Sequence, residues 1–263
     1  MKEICVLGND NRSIFLKKMY LEEGKELLNY IDAKMIIAPI PFTKDNININ
    51  NEDIIIDDLI EKCKNQSKTI YTGLVSEIIR EKFEKNKINI VDLMKLDEIA
   101  ILNAIPTAEG AIYEAIKNTN FTIHSSNILI TGYGRIGKVL ANMLKGFGAN
   151  IFCEARNKKD IALIDAMGYN SIKLDDLDKY ISNMNIIFNT IPCVILNQKR
   201  LDMLNKDCVI IDLASQPGGI DFQKAKELGI NVIWALALPS KIAPCSAAKY
   251  LKYAIDEFEN DNK

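Results

Sequence analysis

An apolar run from Ile128 to Ile130 ends in Gly132-Tyr133-Gly134-Arg135-Ile136-Gly137, and short apolar strands alternate with helix-periodic stretches along the chain. The chain has 263 residues, long for one core and comfortable for two. Together these observations predict an α/β protein with two Rossmann-like lobes with parallel sheets, linked by two hinge helices around a cleft. The first lobe is expected over residues 1–105 and the second, with its hinge helix, over 106–242. A C-terminal helix over 243–263 is expected to pack back on the first lobe.

Taken in order, the first strand is expected at Ile4 to Leu7, ending in the polar turn Gly8-Asn9-Asp10-Asn11-Arg12. A helix follows from Ser13 to Leu28, then strands at Met35 to Ala38, near Ile70 and at Ile88 to Val91. Residues 43–53, rich in Asn and Asp, should form an exposed loop. Pro106 and Thr107 suit the first turn of a helix running to about Asn118, with Glu109 on that first turn, facing either the cleft or the N-terminal amides.

In the second lobe Ile136, Val139, Leu140, Met143 and Leu144 recur at helical spacing until Gly146 and Gly148. Strands are expected at Ile151 to Cys153, Asn170 to Leu174, Asn185 to Asn189, Cys208 to Asp212 and Asn231 to Leu236, and a last helix from Ala243 to Phe258.

The glycine spacing locates a dinucleotide site formed by Gly132, Tyr133, Gly134, Arg135, Ile136 and Gly137. Gly132 suits the tight turn, Gly134 leaves room for a pyrophosphate, and Gly137 lets strand and helix approach. After the next strand, Ala155 takes the place where an acidic side chain would bond the ribose of NAD, and Arg156 with Asn157 stands where a 2′-phosphate would sit. This favours NADP, with NAD as the alternative should Glu154 reach the ribose. Loops after later strands should face the same cleft: Asn189, Thr190 and Pro192 toward the nicotinamide ribose, and Ser215, Gly218 and Gly219 toward a carboxylate.

The 33 basic and 35 acidic residues, net −2, are interspersed, so no basic stripe points to nucleic acid. No apolar stretch reaches membrane-spanning length, and Met1-Lys2-Glu3 opens without a signal-peptide core, so a cytoplasmic protein without membrane association is expected. Six scattered cysteines and one histidine, His124, suggest neither disulfides nor a metal. His124 is weighed as catalyst against a packing or capping residue before a buried strand.

Gly8 to Arg12, Ile105 to Gly110, Thr122-Ile123-His124, Asn189 to Pro192 with Ile195 to Gln198, Asp212 to Ser215 with Pro217 to Gly219, Leu238-Pro239 and Ala243-Pro244 carry a resemblance along nearly the whole chain. In these segments the chain resembles the A subunits of dipicolinate synthase, dehydrogenase-like proteins of bacterial sporulation. The resemblance implies NADP-dependent oxidation of dihydrodipicolinate, formed from 4-hydroxy-tetrahydrodipicolinate, to dipicolinate. It also implies a flavoprotein partner, the B subunit of dipicolinate synthase. A dicarboxylate substrate would need anion pockets, for which Arg12, Thr107, Ser215, Gly218 and Gly219 are candidates; Ser240, Cys245 and Gln216 depart from the family pattern. Glu109 and His124 remain the candidate acid–base groups. The competing readings are an NADP-dependent 2-hydroxy acid or shikimate-type dehydrogenase, and a non-catalytic NADP-binding sensor or partner subunit. Homo-oligomers are left open.

Overall fold

The structure is a computed structural model that describes residues 3–261; Met1-Lys2 and the last two residues of the expected 243–263 helix lie outside the described residues. The chain divides into two compact units, 1–103 with 239–263 and 104–238. The divisions fall at 103/104 and 238/239, a few residues before the expected 105/106 and 242/243. Each lies inside a helix, so no loop marks it.

In the first unit, β1 (Ile4–Val6), β2 (Met35–Ile37), β3 (Thr69–Thr72) and β4 (Asn89–Asp92) form a parallel sheet in the order β1-β2-β3-β4. Ile36, Ala38 and Ile70 pack on one face against Ile56, Leu59 and Cys63 of α2 (Ile56–Cys63) and Ile79 and Phe83 of α3 (Glu77–Lys85). The other face buries Leu16 and Tyr20 of α1 (Asn11–Glu22) and Ala248, Leu251, Ala254 and Ile255 of the C-terminal helix (Pro244–Asp261).

The helix expected at Ser13 to Leu28 begins at Asn11, because the Asp10 side chain caps it by accepting from the Ser13 amide, and ends at Glu22. Leu27 instead bridges to Ile4 in parallel. The 43–53 segment is not wholly exposed either, since Ile49 and Asn50 are buried.

The second unit holds β5 (Asn127–Thr131), β6 (Asn150–Glu154), β7 (Asn170–Ile172), β8 (Ile186–Asn189), β9 (Val209–Asp212) and β10 (Asn231–Trp234). All pairs are parallel and the order is β10-β9-β8-β5-β6-β7, so the winding reverses between β5 and β8. Ile128, Ile130, Phe188 and Ile211 face α4 (Asp97–Asn118) and α5 (Arg135–Gly146) on one side. Leu129, Ile187 and Ile210 face Leu177, Ile181, Leu201 and Ala225 on the other. With both faces covered, the central strands carry unbroken apolar runs, Ile128–Ile130, Ile186–Phe188 and Val209–Ile211, rather than alternating.

Helix α4 corrects the expected hinge helix. It starts at Asp97, not Pro106, and carries Pro106 in its interior. Pro106 has no amide to bond the Leu102 carbonyl, yet the buried stripe Ala104, Ala108, Ala111 and Ala115 holds the helix through it. Among the described residues no helix is long and apolar enough to cross a membrane, and no group of three or more His, Cys, Asp or Glu side chains could hold a metal.

Candidate dinucleotide site

An open α/β sheet binds ligands outside the carboxyl ends of its strands where the order reverses. In the second unit that point lies between Thr131 and Asn189, which are paired in register at the ends of β5 and β8. Gly132 follows directly, with φ +87, a conformation open to glycine. A Cβ on Gly137 would sit on the Gly132 carbonyl oxygen, closer than side chains tolerate, so α5 can pack this tightly on β5 only with glycine there. Around Gly134 a Cβ would meet nothing, which leaves the backbone open to a ligand. Gly134 is also the N-cap of α5 and offers no side-chain cap, so the amino end of this helix, with its positive dipole end, opens next to the turn. These features fit the pyrophosphate of a dinucleotide. The Tyr133 side chain, by contrast, is buried in the core, where burial pushes its hydroxyl up to about 12, leaving only its backbone for a ligand. Arg135 is exposed on the first turn of α5 and Ile136 is half-buried against the core.

Behind the turn lies a buried polar network. The Thr131 hydroxyl donates to Asn189 Oδ1 (2.6 Å), which also accepts from the Ile191 amide (3.2 Å). Asn189 Nδ2 donates to the Ile191 carbonyl (3.0 Å) and to Asp212 Oδ1 (2.7 Å). Asp212, fully buried at the end of β9, further accepts from the amides of Ala214 (3.0 Å) and Gly219 (2.9 Å). The Thr190 hydroxyl donates to the carbonyls of Thr131 (2.8 Å) and Gly132 (3.3 Å), bracing the turn. The loop after β9 is fastened at its other side by Trp234, whose Nε1 donates to the Ala214 carbonyl (2.9 Å) and whose ring stacks on Phe222.

This network corrects several expectations. Asn189 uses all its donors and acceptors inside the protein and cannot also serve a nicotinamide ribose. The two amides expected to receive a carboxylate are engaged as well: Gly219 bonds Asp212, and Gly218 donates to the Ser215 carbonyl (2.8 Å). Ser215 and Pro192 are exposed. Asn157 caps α6 (Lys158–Ala166) by accepting from the Asp160 amide (2.7 Å), while Arg156 is exposed beside it.

His124 lies before the amino end of β5, the end opposite the glycine turn, with Nδ1 3.1 Å from the Phe147 carbonyl oxygen. Five residues of strand, about 17 Å at ~3.3 Å each, separate it from that turn, so it is a packing residue and not a catalyst at this site. Glu109 is exposed in the middle of α4, too far along the helix to satisfy its N-terminal amides. Thr107 is half-buried on the same helix.

In the first unit, Arg12 is buried and donates to the Ile40 carbonyl (2.8 Å), with the Asp10 carboxylate 3.9 Å away. Burial lowers the proton affinity of its guanidinium, and Asp10 partly restores it.

Sequence reading assigned no role to Asp212 and left Glu154 as an alternative ribose ligand. Glu154 is almost wholly buried; Oε2 accepts from the Gly132 amide (3.1 Å), while Oε1 is buried with no hydrogen-bond partner among the described residues. Burial pushes its carboxyl up, against the Gly132 hydrogen bond and the charges of Arg156 and Arg200. Each is a lone carboxylate directly after a run of three apolar residues, and that pattern was the available signal.

Residues 106–217 match the family model of the NAD-binding domain of D-isomer-specific 2-hydroxyacid dehydrogenases, over the stretch that contains the glycine turn. The fold and this site define an NAD(P)-dependent oxidoreductase that uses a nicotinamide cofactor. Residues 3–94 match the N-terminal domain model of the dipicolinate synthase A subunit. The dipicolinate synthase A subunit of Bacillus subtilis (strain 168) is 36% identical, with 95% of this chain and 93% of that protein covered. The crystal structure of the dipicolinate synthase A subunit from Bacillus halodurans superposes with a TM-score of 0.89 at 28% identity, covering 98% of this chain and 97% of that one. The structure of its Bacillus subtilis counterpart gives 0.88 at 30%, covering 99% and 96%. The chain belongs to the family of dipicolinate synthase A subunits.

Proposed function

We propose that this protein oxidises dihydrodipicolinate, formed by loss of water from 4-hydroxy-tetrahydrodipicolinate, to dipicolinate with NADP⁺ in a sporulating cell. The observation that carries the reading is the family relationship over the full chain together with a glycine turn whose geometry fits a dinucleotide. Gly132 would shape the turn, Gly134 and the amino end of α5 would receive the pyrophosphate, and Arg156 the 2′-phosphate. When bound, the nicotinamide supplies the hydride acceptor. The dihydro ring gives up a hydride and a proton and becomes a pyridine, so aromaticity drives the oxidation.

Little acid–base help is then required of the protein. His124, before the amino end of β5, is assigned no acid–base role; the released proton passes to water or to the carboxylate of Glu109, which is exposed on α4. The chain's own contribution is orientation: the Asn189–Asp212 network and the Thr190 braces keep the turn and the loop after β9 in fixed positions. Arg12, Thr107 and Ser215 are the remaining candidates for substrate carboxylates. Gly218 and Gly219 act instead as close-packing positions, since a Cβ on Gly219 would sit on the Asn189 amide. A flavoprotein second subunit is the expected partner.

The test is a coupled assay with the lysine-pathway synthase, its substrates, NADP⁺ and this protein, with and without the flavoprotein partner, following dipicolinate and NADPH together. Matched formation of both supports the reading and shows which protein suffices. NADP⁺ binding without dipicolinate in any combination would move the assignment to a cofactor-binding partner protein.

A further inference from the structure

Glu154 is a buried carboxylate placed two residues before the cation that the proposed function assigns to the 2′-phosphate. Its Oε2 accepts from the amide that opens the dinucleotide turn, and its Oε1 has no partner among the described residues. Among the described residues no cation forms an ion pair with it. Arg200 is committed elsewhere, donating Nε to Asp178 (2.7 Å) and its terminal nitrogens to the carbonyls of Ile195 (2.9 Å) and Leu174 (3.1 Å). Asp178 is in turn shared with Lys199. The paired end of β5, Thr131–Gly132, brings no charged side chain, and on the β7 side Glu154 pairs with Ile172, beyond which Lys173 is exposed. The ionised form of Glu154 therefore leans on one hydrogen bond and on the more distant charges of Arg156 and Arg200.

We propose that Glu154 is a specificity-determining residue that ties cofactor choice to a proton: a dinucleotide carrying a 2′-phosphate binds with uptake of a proton onto the Glu154 carboxyl, and one with a bare ribose binds without it. The proposal rests on Arg156 receiving the 2′-phosphate. Once it does, its charge is neutralised toward Glu154 and a second anion stands close to a carboxylate shielded from water. Like charges in such surroundings cannot both persist cheaply. The proton comes from solvent and settles on Oε1, leaving Oε2 to keep the Gly132 amide. By linkage, preference for NADP⁺ over NAD⁺ falls as pH rises, by up to about tenfold per pH unit where a whole proton is taken up.

Calorimetric titration of NADP⁺ and NAD⁺ in pairs of buffers with different ionisation enthalpies, from pH 5.5 to 8.5, counts the protons bound. The expected result is a fractional to whole proton taken up with NADP⁺ and none with NAD⁺, the difference disappearing in Glu154→Gln. Equal proton numbers in wild type and Glu154→Gln overturn the proposal. If that variant does not fold, the wild type decides by itself above pH 7.5, where the phosphate, with its second pKa near ~6, is already ionised: equal proton numbers for the two cofactors overturn it. NADP⁺ binding that is indifferent to Arg156→Ala overturns the reading of Arg156, and this proposal with it.

Discussion

Replacing Asp212 by Asn removes one charge and almost no volume, yet should be among the more damaging single changes in the second unit. The carboxylate accepts three hydrogen bonds, two at Oδ1 and one at Oδ2, and offers no proton. The least harmful orientation of Asn keeps its carbonyl oxygen toward Asn189 and the Ala214 amide and turns its NH₂ toward the Gly219 amide. Two buried donors then face each other, each costing roughly 1–3 kcal/mol when left unsatisfied. The two surviving bonds weaken as they lose charge assistance, and relief from burying an anion offsets part of the loss. The net should be a destabilisation of about 3 kcal/mol, read as a fall in Tm of roughly 6–12 °C for a chain of this size. Thermal unfolding followed by circular dichroism measures it. A shift below about 0.5 kcal/mol, the range of neutral surface changes, would show that this carboxylate does not hold the loops together.

Gly137→Ala should drive its methyl into the Gly132 carbonyl, lowering stability by about 1–3 kcal/mol and weakening NADP⁺ binding at least tenfold; unchanged binding in a fluorescence titration would refute the close packing. Arg156→Ala should weaken NADP⁺ by roughly 10–100-fold, the worth of a hydrogen-bonded charge pair, and leave NAD⁺ within about twofold; equal losses would remove Arg156 from the 2′-phosphate. For His124→Ala, steady-state kinetics should give a kcat/KM within about twofold of wild type, as its ring meets the Phe147 carbonyl at the end of β5 opposite the glycine turn; a hundredfold loss would restore it as a catalyst. Because burial raises the folded-state pKa of Glu154, its ionisation favours the unfolded chain, and stability present at low pH is lost as pH rises through that raised value. Glu154→Gln, which cannot ionise, should accordingly melt above wild type at pH 7.5 and lose that advantage toward pH 4; a lower Tm at pH 7.5 would contradict the burial argument.

The β5–turn–α5 unit was legible because each of its constraints is local: Ile128 to Ile130, three glycines and a helical stripe lie within one short stretch of chain. The ends of α1 and α4 were not. Gly24, at φ +72, turns the chain just beyond α1 and lets Leu27 reach Ile4, so apolar spacing past Glu22 belonged to a strand-like bridge. Pro106 reads locally as a helix start, but packing of the alanine stripe overrides it. In the site, the roles of the glycines followed from spacing, while that of Asn189 depends on Thr131, 58 residues away, and Asp212, 23 residues away. A buried amide engaged by such distant partners looks, in sequence, like a polar loop residue free to meet a ligand.

Trp234 is the chain's single tryptophan, and its indole is tethered to the loop after β9. Its emission therefore reports on one place alone. Excitation at the red edge of the absorption band, where tyrosine is silent, watches the Ala214 anchor without interference. Reduced nicotinamide absorbs where tryptophan emits, so cofactor arrival should quench the same signal by energy transfer, giving a label-free optical readout of occupancy and loop state in unmodified protein.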